Sequence, residues 1–174
     1  DPISSYQVQS ENEIGIELAG KLTSSSPLDL EVLMDQLREF RQGHTLRLAA
    51  ADVANIVSQT EVSDSLCSLA EALLTQSLKF SAASLQPESS SIDIQGIGVI
   101  AYGKLGSREL GYNSDLDVIF IFENPIKLPE AGLHYRYSRL LQRLIHILTT
   151  RTSAGQLYEI DTRLRPDGRS GIVI

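Results

Sequence analysis

The sequence predicts an α+β protein, an α-helical subdomain followed by a small mixed sheet with covering helices. Three observations carry that prediction. Apolar residues in the first half recur at three- and four-residue intervals, the spacing of one helix face. Apolar runs in the second half are short and rich in β-branched and aromatic residues, as buried strands require. Between them, Gln86-Pro87-Glu88-Ser89-Ser90-Ser91 is a polar stretch that supports neither element. The chain therefore divides into a helical subdomain over 1–85, a connection over 86–95 and a sheet-bearing core over 96–174.

A short, weak helical segment covers residues 11–22. After Thr23-Ser24-Ser25-Ser26-Pro27, Asp29 is placed to cap a longer helix, whose apolar positions Leu30, Leu33, Met34, Leu37, Phe40, His44 and Leu48 continue toward Ile56. A third helix runs from about Glu61 to Phe80 through Val62, Leu66, Leu69, Leu73 and Leu74, completing an antiparallel helical unit. Beyond the connection, Ile97–Tyr102 and Val118–Phe122 read as buried strands. A helix over about 133–150 carries Tyr137, Leu140, Leu141, Leu144, Ile145 and Leu148 on one face. Leu157–Arg163 then alternates, with Tyr158 and Ile160 on one side and Glu159, Asp161 and Arg163 on the other. There is no internal repeat.

Composition narrows the function. The 174 residues contain 15 Lys and Arg against 22 Asp and Glu, a formal charge of −7, which repels phosphate backbones and argues against nucleic acid as a partner. A hydrophobic content of 42% excludes disorder, and no apolar run reaches the roughly 18 residues of a membrane helix. The lone Cys67 excludes an internal disulfide and a multi-cysteine zinc site; its neighbours Leu66 and Leu69 make it a packed helix residue. With no signal peptide visible, the expectation is a cytoplasmic protein. The chain starts at Asp1 and stops at Gly171-Ile172-Val173-Ile174, which reads as a strand just beginning, so a piece of a longer protein is expected.

The stretch most informative about chemistry is Gly103 to Asp117, leading into Val118-Ile119-Phe120. Asp115 and Asp117, two apart at a strand entrance, leave the same face within reach of one ion. Their oxygen ligands suit magnesium or manganese, which keep waters and accept further ligands from a nucleotide's phosphates. Asp-x-Asp alone is common at the entrance of surface strands; context gives it weight. Gly106-Ser107 follows a buried strand and can open a short helix whose amides would hold a triphosphate. Asp161, on the polar side of a later strand, can supply a third carboxylate. Arg163 and Arg165 share its face and suit either phosphate oxygens or ion pairs with Asp161 and Glu159. Lys104 lies beside the candidate phosphate turn.

Competing motifs fail. Gly98 to Lys104 matches the first seven positions of a P-loop, but Leu105 stands where a hydroxyl must ligate magnesium, and the supposed loop is a strand. Gly96-Ile97-Gly98-Val99-Ile100-Ala101 is likewise too bulky for a dinucleotide turn. His44, His134 and His146 lack helical zinc spacing, and no Gly-x-Ser-x-Gly elbow is present.

At this point the chain resembles the bacterial glutamine synthetase adenylyltransferases, also called glutamate-ammonia-ligase adenylyltransferases, within the DNA polymerase beta-like nucleotidyltransferase superfamily. The resemblance is carried by Tyr102-Gly103-Lys104-Leu105-Gly106, by Glu109-Leu110-Gly111-Tyr112-Asn113-Ser114-Asp115-Leu116-Asp117, by Thr149-Thr150-Arg151-Thr152-Ser153-Ala154-Gly155, and by Tyr158-Glu159-Ile160-Asp161 with Arg163-Leu164-Arg165-Pro166. A looser match, including Arg38-Glu39-Phe40-Arg41-Gln42 and Leu48-Ala49-Ala50-Ala51-Asp52, extends it over nearly the whole chain. Ser107 stands where the family usually has glycine and restores the Gly-Ser form of the superfamily.

The resemblance implies a nucleotidyltransferase fold and transfer of AMP from ATP to a tyrosine of glutamine synthetase. It implies catalysis by two magnesium ions, with manganese as a substitute, held by Asp115, Asp117 and Asp161, and nucleotide contacts from Gly103, Lys104, Gly106, Ser107, Arg163 and Arg165. It also implies regulation of the whole enzyme by the PII signal protein. Family members carry one unit that attaches AMP and one that removes it; the wording here is similar to the attaching unit. The removing unit and a non-catalytic fragment that binds nucleotide or a partner remain the alternatives.

Overall fold

The computed structural model of the chain describes residues 6–23, 29–84, 97–123 and 130–161. Three helices come first: α1 (Glu11–Thr23), α2 (Leu30–Val53) and α3 (Gln59–Ser84). Their starts are written locally. At α1, the Ser10 N–H reaches Glu13 Oε2 at 2.8 Å while the Glu13 N–H returns to Ser10 Oγ at 3.4 Å; Ser58 and Glu61 repeat this reciprocal box at α3. Asp29 caps α2 as expected, accepting from the Glu31 N–H at 3.3 Å. The α2 helix stops at Val53, short of Ile56. Asn55 takes a left-handed φ of 54°, and the Ile56 N–H folds back to the Ala51 carbonyl at 2.9 Å.

The second half contributes β1 (Ile97–Ala101), α4 (Gly103–Gly106), β2 (Leu116–Phe122), α5 (Glu130–Thr149) and β3 (Ile160–Asp161). The sheet has the order β1-β2-β3 and is mixed. The β1 strand runs antiparallel to β2, with Ile97 opposite Phe122 and Ala101 opposite Val118. The β3 strand runs parallel to β2, with Leu116 opposite Ile160 and Asp117 opposite Asp161. Parallel neighbours need a long crossover, which α5 supplies.

The expected alternation over Leu157–Arg163 is only partly realised. Among the described residues the strand is Ile160–Asp161, and Leu157 and Tyr158 are both buried instead of pointing to opposite sides. The Tyr158 N–H is tied to the Leu148 carbonyl at 2.9 Å, which draws this segment under α5 before it can join the sheet. Arg163 and residues 171–174 lie outside the described residues, as does the connection over 86–95.

One apolar core runs through both halves. Leu37, Leu73, Leu116, Leu140, Leu144, Ile147 and Leu157 are fully buried within it. Each such leucine or isoleucine side chain contributes about 2–3 kcal/mol by leaving water. On α5 the buried face includes Ile147, whereas Ile145, expected inside, is half-buried. Cys67 is buried on α3, and burial pushes its thiol pKa up, as suits a packed and unreactive sulfur. No helix among the described residues is long and apolar enough to cross a membrane.

Candidate active site

The β2 strand shows why its carboxylate is available. Leu116, Val118 and Phe120 point into the core, so Asp117 must take the other face, where it is half-buried. Asp161 is its direct neighbour across the parallel pair. Asp115 lies one residue before the strand and is exposed; it borders an open cleft of about 290 Å³ with Arg41, Asn113, Ser114 and Glu159. Among the described residues no three His, Cys, Asp or Glu side chains form a ready-made metal-holding group. The donors present are carboxylate oxygens from neighbouring strands.

A sharp turn presses on Asp117 from the side of β1. The Tyr102 N–H donates to the Asp117 carbonyl at 2.8 Å, and Gly103 follows with φ +52°, a left-handed conformation that glycine adopts readily. A Cβ on Gly103 would collide with Asp117 Oδ2, so only glycine lets the backbone lie against that carboxylate. Gly106 is required for a second reason, since a Cβ there would sit 2.6 Å from the Ala101 carbonyl oxygen. The short helix opens at Gly103. Gly106-Ser107, expected to begin a helix, instead closes one: the Gly106 N–H donates to Tyr102 and the Ser107 N–H to Gly103. The physical reason is that the left-handed turn comes directly after Tyr102, so helical bonding starts three residues earlier. Ser107 Oγ donates to Glu109 Oε2 at 3.0 Å, and Lys104 is exposed beside the turn.

Helix α2 anchors the two segments that carry the carboxylates, a role absent from the sequence reading. The buried Arg38 guanidinium donates to the carbonyls of Met34 (2.6 Å), Ile147 (2.9 Å), Gly155 (2.7 Å) and Thr150. It thereby joins α2 to the carboxyl end of α5 and to the following loop. Burial lowers its pKa, and the nearby Asp35 opposes that fall. Gln42 donates to the Ala154 carbonyl at 2.6 Å, and Ser153 Oγ donates to Asp35 Oδ2 at 3.1 Å. Hydrogen bonds, chiefly from the Thr152 hydroxyl, hold the Asp35 carboxyl below its usual pKa. Arg41 donates to the Tyr112 carbonyl at 3.2 Å and stacks on the Tyr158 ring at 4.4 Å. The Tyr112 hydroxyl donates to Asp52 Oδ2 at 3.0 Å; burial, and then this bond, push its pKa up to about 12.

Arg108 is a second residue that sequence reasoning missed. With φ 58°, it turns its guanidinium back onto α3, reaching Asp64 Oδ1 at 2.8 Å and Glu71 Oε1 at 3.2 Å. The bond to Asp64 raises its pKa. Arg38 and Arg41 both fall inside the Arg38–Gln42 motif, so the signal was present in the sequence without the partners that give it meaning. Of the expected site residues, the structure brings Gly103, Asp117 and Asp161 together, with Asp115, Lys104, Gly106 and Ser107 on the adjoining segments. Arg163 and Arg165 lie outside the described residues.

Helices followed by a small mixed sheet, with aspartates on neighbouring strands beside a glycine turn, define an α+β protein of the nucleotidyltransferase-like kind. Comparison with known proteins makes this specific. The family model described as glutamate-ammonia ligase adenylyltransferase matches residues 2–174. The chain is 44% identical to a bifunctional glutamine synthetase adenylyltransferase/adenylyl-removing enzyme of Nitrosococcus oceani, with all of this chain aligned to 19% of that protein. It is 39% identical to the protein of the same name from Methylococcus capsulatus, over all of this chain and 20% of the relative. For the Haemophilus ducreyi protein of that name the identity is 42%, over 84% of this chain and 16% of the relative. The chain belongs to the glutamate-ammonia ligase adenylyltransferase family. It spans about one fifth of the length of the curated relatives it matches.

Proposed function

We propose that this chain forms the nucleotidyl-transfer centre of a glutamine synthetase adenylyltransferase, moving AMP from ATP to a tyrosine hydroxyl of glutamine synthetase with release of pyrophosphate. The observation that carries the reading is the pairing of Asp117 with Asp161 across β2 and β3, beside a glycine turn that tolerates no side chain.

The donor set suits magnesium or manganese. These hard cations take oxygen ligands, and magnesium is commonly held by one or two carboxylates plus substrate phosphates, so an all-protein group of three ligands is not needed. Asp117 and Asp161 would hold such ions, with Asp115 approaching from the strand entrance. When bound, the metal neutralises the charge that builds on the phosphates during transfer. The chain's own residues do the positioning. Gly103 brings backbone against Asp117, and Lys104 stands at the turn, where its ammonium can meet a phosphate. The Ser107 hydroxyl now satisfies Glu109, so it serves a phosphate only by exchanging that partner.

The attaching reaction is favoured by the Glu109–Ser114 and Thr149–Gly155 wording, while the relatives' names include removal of the adenylyl group as well. One pair of assays separates the two. Incubating the full-length enzyme with ATP and unmodified glutamine synthetase yields AMP-tyrosine and pyrophosphate if the centre attaches. Incubation with the modified protein and phosphate yields ADP if it removes. Asp117→Asn abolishes the activity without unfolding the domain; retained turnover in that variant would overturn the metal assignment.

A further inference from the structure

The two carboxylate-bearing segments converge on one side chain outside the sheet. Tyr112 precedes Asp115 by three residues, and Tyr158 precedes Asp161 by three. Arg41 of α2 grips both tyrosine positions at once: its Nη2 donates to the Tyr112 carbonyl at 3.2 Å, and its Cζ lies over the Tyr158 ring, 4.4 Å from the centroid. Each grip is reinforced. The Tyr112 hydroxyl is held by Asp52 from the same helix, and the Tyr158 N–H is held by Leu148. Just beyond these anchors the two segments meet directly, the Leu116 N–H donating to the Glu159 carbonyl at 2.9 Å. Arg41 also lines the cleft that Asp115 borders.

We propose that Arg41 is a positioning residue which sets the spacing of Asp115 and Asp117 relative to Asp161, and through it the affinity for the divalent cation. The proposal rests on the nucleotidyl-transfer reading above. Its physical basis is that short segments transmit displacement: three residues beyond an anchor, little freedom remains to absorb a shift. Arginine suits the task because a planar guanidinium can donate from its edge while stacking by its face. Lysine, a compact point charge, makes one of these contacts at a time. Residues that orient metal ligands in this way are worth about 10- to 100-fold in metal affinity or activity.

The test uses the full-length enzyme containing this chain, with Arg41→Met, Arg41→Lys and, as a control on the same helix, the exposed Arg47→Met. Manganese binding without substrate is followed by electron paramagnetic resonance, and kcat, the KM for ATP at saturating metal and the melting temperature are measured beside it. Arg41→Met is expected to weaken manganese at least about tenfold and to lower kcat, with the KM for ATP little changed. Arg41→Lys should fall between it and wild type, and Arg47→Met should match wild type. Wild-type manganese affinity in Arg41→Met would overturn the proposal. Should that variant not fold, Arg41→Lys decides, with unchanged manganese affinity counting against the proposal and weakened affinity for it. A wild-type enzyme that bound no manganese and transferred no AMP would instead overturn the functional reading beneath it, so the two failures are distinguishable.

Discussion

Replacing Arg38 with methionine probes how the two halves are joined. Arg38 is 1% exposed, and its guanidinium donates to four carbonyl oxygens, three of them outside its own helix: Ile147, Thr150 and Gly155. Gly155 keeps the Thr152 N–H at 2.9 Å when Arg38 is gone. Ile147 and Thr150 lie at the end of α5, where a helix has no amides left to satisfy its last carbonyls. A hydrogen bond to a charged donor is worth about 1.5–3 kcal/mol. A cation at a helix carboxyl end adds about 0.3–1 kcal/mol. Two orphaned acceptors with the lost cation therefore cost about 3–7 kcal/mol, since methionine recovers only the apolar packing. For a chain of this size that corresponds to a melting temperature lower by roughly 6–28 °C. Thermal and urea unfolding, followed by far-ultraviolet circular dichroism, would measure both quantities. A loss below about 1 kcal/mol would refute the reasoning, because it would mean that water or a rearranged side chain satisfies those carbonyls at no cost.

Two further outcomes follow from the site. Gly103→Ala puts a Cβ into Asp117 Oδ2 at a left-handed position, so manganese affinity should fall at least about tenfold; unchanged binding would show that Asp117 is not a ligand. Alkaline titration should reveal a tyrosine ionising near pH 12, and Tyr112→Phe should remove that amplitude. Because the folded pKa lies above the ordinary tyrosine value of 10, stability from Tyr112 is complete below pH 10 and lost as pH rises toward 12. A variant with the same alkaline loss as wild type would assign it elsewhere.

Much of the fold was legible because its signals are local. Asp29 at the start of α2, the leucines of α3 and the β-branched runs of β1 and β2 report backbone periodicity within a few residues. The Asp115-Leu116-Asp117 pattern was readable for the same reason. Signals failed where a distant contact overrode the local pattern. Tyr158 alternates correctly for a strand, yet its N–H is bound to the Leu148 carbonyl and its ring to Arg41, so the strand begins only at Ile160. The Gly106-Ser107 pair resembles a helix opening, yet the left-handed turn at Gly103 makes it a helix end.

The sequence by itself determined the element types, the mixed α+β class and the carboxylate pattern, since periodicity and turn chemistry act between near neighbours along the chain. Only the tertiary structure decided that Asp161 would sit opposite Asp117 and that Arg38 would be buried, joining α2 to the end of α5. The same holds for Arg41 gripping both carboxylate-bearing segments. Arg38 and Gly155 are 117 residues apart, and no local preference of either specifies that meeting. It arises because a buried guanidinium must find acceptors, and the carboxyl end of α5 with the loop after it supplies them.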